Sequence, residues 1–377
     1  MRVLVLEPFY GGSHREFLDQ WQGLSRHRLT LFTLSAHHWK WRMRHSVLDF
    51  AQEARRRFAE GERWDAVFCT DMLNLAELRG LAPELGTLPS VVYFHENQLT
   101  YPVQEQRERD RHFAFTNLTT AVAADAVWWN SAFHRDDFLG AAASWLRRLP
   151  DHRPLESVRQ IADKSEVFPQ GIRVPTRRRE GRPPGPLRIL WAGRWEFDKN
   201  PEGFFAVIET LEARGVDYRL SVIGERFRDC PAIFDQAQAR LEHRLDAWGF
   251  QESRTDYERV LGSADVFVST AHHEFFGVAA AEAIAAGCLP LLPNRLAYPD
   301  LLAAMSPEQR AHHLYETDED LELRLVDLAG RASTGRDLWP GSADAGQRAM
   351  EGFHWPAVCR RLDDGMERLV GALPSAG

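Results

Sequence analysis

A chain of 377 residues, 44% hydrophobic and 27% charged, has room for two domains of ordinary size, each with its own core. The net charge of −8 argues against a wholly nucleic-acid-coating protein, and no apolar run reaches the roughly 18 residues that a membrane span needs. Four scattered cysteines (Cys69, Cys230, Cys288, Cys359) form no CxxC pair, which points away from a zinc or disulfide framework and toward a reducing, cytoplasmic compartment.

The elements alternate along the chain. Val3–Leu6, Leu29–Leu34, Ala66–Cys69, Val91–Phe94 and Ala126–Trp129 read as short buried strands, and a further strand ends at Pro169-Gln170-Gly171. Helical patterns such as Val47–Ala59 and Phe113–Ala124 separate them. Arg177–Pro186, rich in Arg, Gly and Pro, is the expected linker. A second series follows: strands at Leu187–Ala192, Tyr218–Ile223, Ala264–Ser269 and Leu289–Leu292, with helices at Pro201–Arg214 and Val278–Ala286. The final amphipathic pattern, Trp355–Val370, is expected to pack back toward the first domain. The predicted fold is α/β. An acceptor-side Rossmann-like domain (1–176) and a nucleotide-sugar-binding one (187–352), joined by the linker 177–186, face each other across a cleft, and 353–377 forms a returning helix. Both domains are doubly wound, so ligands are expected at the carboxyl ends of strands.

Charge divides unevenly between the halves. Residues 1–182 hold 26 Lys and Arg against 23 Asp and Glu, and the rest 20 against 31. Nine of the 15 histidines also lie in the first half, so a polyanionic partner should meet that half. The chemistry there begins after the first strand with Glu7-Pro-Phe-Tyr-Gly11-Gly12-Ser13-His14, a Gly-Gly turn that allows close backbone approach to a ligand. His95-Glu96-Asn97-Gln98 directly follows the apolar run ending at Phe94. His95 is the candidate acid–base or sugar-contacting group, with Glu96 to orient it. Interleaved aromatic and basic residues at His37–Arg44, with Trp39 and Arg42 as candidate acceptor contacts, and at Arg107, Arg109, Arg111, Arg147, Arg148 and Arg153, suit bases and phosphates. Asn130-Ser131 is expected to line the same floor.

In the second half, Gly193 closes a strand and Arg194 and Lys199 follow in a loop, a planar fork and a point charge suited to a diphosphate. Gly224 ends the next strand, and Trp248-Gly-Phe with Tyr257 is placed to flank a base. His272-His-Glu274-Phe-Phe276-Gly277-Val278 leads into a small-residue helix carrying Glu282. Eight helical residues would separate Glu274 and Glu282 by about 12 Å, matching a hexose and a ribose. Backbone N–H groups near Gly277 would lie where a pyrophosphate can sit. A buried Glu282 without a partner would be costly, which argues for a functional role.

Together Gly193-Arg194-x4-Lys199 and Glu274-x7-Glu282 resemble the retaining GT-B glycosyltransferases of family 4. That resemblance implies that Arg194 and Lys199 hold the diphosphate, Glu274 contacts the transferred hexose and Glu282 contacts the ribose. The words EPFYGGSH, HWKWR, YFHENQLTYPV, LPDHRP and HHEFFGVAAAEA, in that order, look like the tRNA-queuosine α-mannosyltransferase family. This second resemblance implies transfer of mannose from GDP-mannose to the cyclopentene-diol of queuosine in an aspartate tRNA. The expected partners are thus a nucleotide-sugar and a queuosine-containing tRNA, with no membrane and no obligate protein partner. No DxD pair stands in a suitable loop, so no metal and no other cofactor is expected. Two alternatives are a family-4-like enzyme acting on a lipid or polysaccharide, and a non-catalytic tRNA- or nucleotide-binding module.

Overall fold

The computed structural model describes residues 1–103, 110–174, 183–227, 229–340 and 344–372. Arg107, Arg109 and most of the expected linker (177–182) lie outside the described residues. The chain forms two compact units, Met1–Gly171 with Trp355–Gly377, and Ile172–His354.

The first unit is built on six parallel strands: β1 (Arg2–Tyr10), β2 (Arg28–Ser35), β3 (Ala66–Thr70), β4 (Ser90–Phe94), β5 (Ala126–Trp129) and β6 (Ser165–Val167), in the order β2-β1-β3-β4-β5-β6. Every residue of β3, β4 and β5 is buried, as expected of parallel strands covered on both faces. The order reverses between β1 and β3, so their carboxyl ends form the switch point where doubly wound sheets bind ligands.

Two elements outrun their sequence patterns. β1 continues to Tyr10, where it re-pairs with Ser35 after a bulge between Glu7 and Tyr10. Pro8 lies in that bulge, where its missing N–H is tolerated. The helix Trp39–Ala59 starts eight residues before the expected Val47. Its first two turns are mostly polar and turn only Met43 and Ser46 fully inward, so the apolar period is faint there.

The helix Trp355–Ala372 belongs to this unit. Its buried Asp363 accepts from Trp21 Nε1 (2.8 Å), Ser25 Oγ (2.7 Å) and the Arg26 amide (2.9 Å), which ends the helix Gly12–Leu24 against it. Close packing requires two glycines here. A Cβ at Gly171 would fall 2.3 Å from the Trp355 ring, and one at Gly365 would fall 2.7 Å from Trp128.

The second unit repeats the plan with β7 (Leu187–Ala192), β8 (Tyr218–Ile223), β9 (Leu245–Gly249), β10 (Val266–Val268), β11 (Leu289–Pro293) and β12 (Leu314–Tyr315). Their order is β12-β11-β10-β7-β8-β9, all parallel, with the reversal between β7 and β10. β12, two residues long, leaves no readable pattern in the sequence. Trp248 on β9 packs against Trp195, Phe205 and Phe234 and is therefore a core residue.

Candidate active site

In the first unit four ionisable side chains converge on the switch point. Glu7 comes from β1, His14 from the first turn after Gly11-Gly12, Asp71 from the end of β3 and His95 from the end of β4. All four are buried. His14 Nδ1 lies 2.9 Å from Glu7 Oε2, and the other Glu7 oxygen accepts from the Phe9 amide at 2.7 Å. The His14 and His95 rings lie 4.1 Å apart, centroid to centroid.

The electrostatics separate the two imidazoles. Burial opposes charge on His14, but the Glu7 carboxylate, with Asp71 and Glu96 behind it, outweighs burial and holds its pKa up at about 9. His95 moves the other way. Burial first, then the neighbouring His14 and His134, push it well below the usual imidazole range, only partly offset by Gln170. Asp71 is pushed well above the carboxylate range by burial, against the pull of His14. The site thus sets a protonated and a neutral imidazole side by side.

Backbone bonds fix His95. Its N–H donates to Asp71 Oδ1 (2.8 Å) and its carbonyl accepts from Asn130 Nδ2 (2.9 Å), with Asn130 in turn held by His134 (2.8 Å). Asp71, which sequence reasoning missed, is signalled only as the first polar residue after a fully buried strand. Glu96 does not orient His95. Its carboxylate accepts from Gln98 Nε2 at 3.0 Å.

The other acceptor-side candidates make contacts within the first unit. Asn97 is fully buried, and its side chain closes a turn on the Leu99 and Thr100 amides and the Thr100 hydroxyl. Gly11 is required by packing, since a Cβ there would fall 2.3 Å from Ala36 Cβ. Gly12, at φ +50°, has open space around it. Trp39 is half-buried on Phe113 (5.1 Å), and Arg42 staples its helix to Ser35 through the carbonyl (2.9 Å) and hydroxyl (3.0 Å). Both contacts hold the start of the helix Trp39–Ala59 in place.

In the second unit the switch point brings together the loops after β7 and β10. Gly193 donates to the Ile223 carbonyl (3.1 Å), and a Cβ on Gly224 would lie 1.7 Å from Gly193 O, so Gly224 is obligatory. A Cβ on Gly193 would meet only Lys199 Cγ at 3.8 Å and Trp191 at 3.9 Å, which is ordinary contact. The Asp198 carbonyl accepts from the His272 and His273 amides (2.8 and 3.2 Å), tying the two loops. Lys199 Nζ then donates to the His273 carbonyl (2.8 Å) and pairs with Glu274 (3.3 Å) and Asp198 (3.2 Å). Burial works against the Lys199 charge, but Glu274 and Asp198 raise its pKa regardless. Burial lifts Glu274, yet Lys199 and the Phe276 amide bring it below the usual value, so it is a fixed anion. Arg194 is more exposed, with Glu196 at 3.2 Å.

Glu274 and Glu282 do not share a helix. Gly277 takes φ +95° and the helix runs from Val278 to Ala285, so Glu274 lies in the preceding loop and the helical spacing does not describe the pair. No side-chain hydrogen bond caps the helix at Gly277, and Val278 and Ala279 are only half-buried, so the helix start is one at which an anion can be met by N–H groups. Phe276 is buried beneath them. Glu282 is buried but not unpaired: Arg254 Nη2 lies 2.8 Å from it. Burial still lifts the Glu282 pKa, with Arg254 opposing. Arg254 stands 28 positions away and could not be read as its partner from local pattern.

Among the described residues, Glu7, His14 and His95 are the group with ligand atoms close enough (within 4.8 Å of one another) to hold a metal ion. The 2.9 Å Glu7–His14 bond accounts for two of those three side chains without one.

Comparison with known proteins agrees with this layout. Residues 2–172 match the family described as tRNA-queuosine alpha-mannosyltransferase N-terminal, and residues 174–306 match glycosyl transferases group 1. A tRNA-queuosine alpha-mannosyltransferase of Drosophila melanogaster is 37% identical over 337 residues, covering 86% of each chain. A GDP-mannose-dependent alpha-(1-6)-phosphatidylinositol dimannoside mannosyltransferase of Mycobacterium tuberculosis is 26% identical, covering 69% of this chain and 66% of its own. The solved sucrose-phosphate synthase of Thermosynechococcus elongatus superposes with a TM-score of 0.71 at 14% identity, covering 99% of this chain and 100% of its own. The architecture is GT-B, and no helix among the described residues is long and apolar enough to cross a membrane. This chain is a glycosyltransferase and belongs to the tRNA-queuosine alpha-mannosyltransferase family.

Proposed function

We propose that the chain transfers mannose from GDP-mannose, with retention of configuration, to the cyclopentene-diol of queuosine in an aspartate tRNA in the cytoplasm. The observation that carries the reaction type is Lys199, fixed between Asp198 and Glu274 beside the uncapped helix start at Val278. Departure of GDP puts negative charge on the diphosphate. Arg194, Lys199 and the Val278–Ala280 amides meet that charge with groups already in place. Glu274, ionised, takes hydroxyls of a sugar whose anomeric carbon becomes oxocarbenium-like. Glu282, held by Arg254, receives the ribose. His95 offers a neutral imidazole to a substrate hydroxyl, and His14 beside it carries the positive charge. The diphosphate is met by these residues without a metal ion.

The test incubates the protein with GDP-mannose and queuosine-containing tRNA, in EDTA, and reads the tRNA nucleosides by mass spectrometry. One added hexose on queuosine is expected. Transfer only to a lipid or a free sugar would overturn the acceptor. Activity lost in EDTA and restored by a divalent metal would overturn metal independence. A second expectation concerns Gly193. Gly193→Ala should melt with the wild-type protein yet bind GDP about tenfold more weakly, roughly the 1.4 kcal/mol that a blocked phosphate approach costs. Unchanged GDP affinity by calorimetry would remove Gly193 from the donor site.

A further inference from the structure

The expected acceptor contacts Trp39 and Arg42 are half-buried, and the same helix presents a more exposed set beside them. Lys40, Trp41 and Arg44 are exposed, Trp41 at 61%. Their spacing puts them on one helical face. A single exposed aromatic is ordinary on a protein surface, but this one is held in one orientation. The Trp41 ring stacks on His45 (centroids 4.9 Å apart, planes at 27°). His45 is itself fixed, with Nδ1 3.0 Å from Asp49 and Nε2 2.8 Å from Arg42 Nη1. The ring is therefore a rigid, half-open platform.

Among the described residues the charge beside it is mainly positive. Arg44 stands over Phe113 (5.1 Å), and Phe113 opens the helix Arg111–Ala123, whose Arg111 stands over Trp145 (5.6 Å). Among the described residues no carboxylate pairs with Lys40, Arg44 or Arg111. The nearby acids are engaged, Asp49 on His45 and Asp110 as the cap on the His112 amide (2.9 Å). The inward side of the same helix leads toward the buried histidines. The apolar cluster of Met43, Met72 and Phe113, with Trp39 and Phe9 against it, reaches the His14 ring through Phe9 at 6.1 Å.

We infer that Trp41, Lys40 and Arg44 form a docking surface for an unpaired stretch of RNA next to the nucleotide being modified. A base stacks on the open face of Trp41 and phosphates lie on the two cations. Stacking on an aromatic with flanking cations is the physical pattern of single-strand recognition. Lipid binding would require a broader apolar face than one indole. The inference rests on the reading that the acceptor is a tRNA, and it moves the contact from Trp39 and Arg42 to their more exposed neighbours.

The test uses the full chain, queuosine-containing tRNA and steady-state kinetics. Trp41→Ala should raise KM for tRNA about 10- to 100-fold, the loss of one stacked base, while kcat at saturating tRNA stays within about twofold. Trp41→Phe should recover most of the affinity and Trp41→Leu should not. Arg44→Gln should weaken binding and reduce the slope of log affinity against log salt by about one. A KM for Trp41→Ala within twofold of wild type, or rescue by Leu as good as by Phe, overturns the docking surface while leaving the acceptor reading intact. Wild-type protein that neither binds nor modifies tRNA overturns both. Trp41-dependent binding to phosphatidylserine vesicles in place of tRNA overturns the RNA assignment in favour of a membrane.

Discussion

Replacing Arg194 by alanine lowers turnover about 10²- to 10³-fold and leaves the melting temperature nearly unchanged. The two effects separate because of where the side chain sits. Its guanidinium is partly exposed, with Glu196 3.2 Å away, and such a surface pair is worth about 1 kcal/mol or less. On the proposed reading, the variant loses a fork-shaped donor to the diphosphate whose charge grows as the glycosidic bond breaks. Lys199→Ala behaves differently. Removing its ammonium leaves Glu274 and buried Asp198 facing the same emptied space, so about 3–5 kcal/mol of stability goes along with activity. Steady-state kinetics and thermal melting on both variants decide the matter. An Arg194→Ala enzyme with full turnover would remove the diphosphate assignment.

The buried histidine pair gives the second large effect, a stability limb at alkaline pH. His14 holds its proton to about 9 in the folded protein, against an unfolded value near 6.5. A raised folded pKa stabilises the fold fully below the unfolded value, and that contribution is lost as pH rises from about 6.5 through about 9. Integrated over that window it is on the order of 3 kcal/mol. Glu7 supplies the main attraction, through the 2.9 Å contact. Glu7→Gln should flatten the limb: without the carboxylate, burial drives His14 neutral and the variant loses little more on going from pH 6.5 to 9.5. Urea unfolding of both proteins at those two pH values measures the difference. Parallel losses in the two proteins would place the titrating group elsewhere.

Much of this was legible in the sequence, for identifiable reasons. Parallel strands buried on both faces write continuous apolar runs, so Val91–Phe94 and Ala126–Trp129 could be placed nearly to the residue. Residues just past such runs stand at the carboxyl edge of the sheet, so His95 and Arg194 could be picked out as candidates. The illegible features depend on partners distant in the chain or on packing. Arg254 neutralises Glu282 across 28 positions, and Asp71 fixes the His95 backbone across 24. Gly11 looked like a ligand turn because a glycine excluded by Ala36 and a glycine cleared for a substrate are the same letter. Trp39 and Trp41 differ by two positions on a helix that begins among polar residues, and no periodicity there said which one faced water.

The most direct test of the account compares two preparations of one aspartate tRNA, with queuosine and with guanosine at the same anticodon position, under GDP-mannose labelled in the sugar. The account predicts label on the queuosine tRNA alone, abolished in Arg194→Ala. Equal label on both tRNAs, or label on neither while another acceptor is glycosylated, would contradict it.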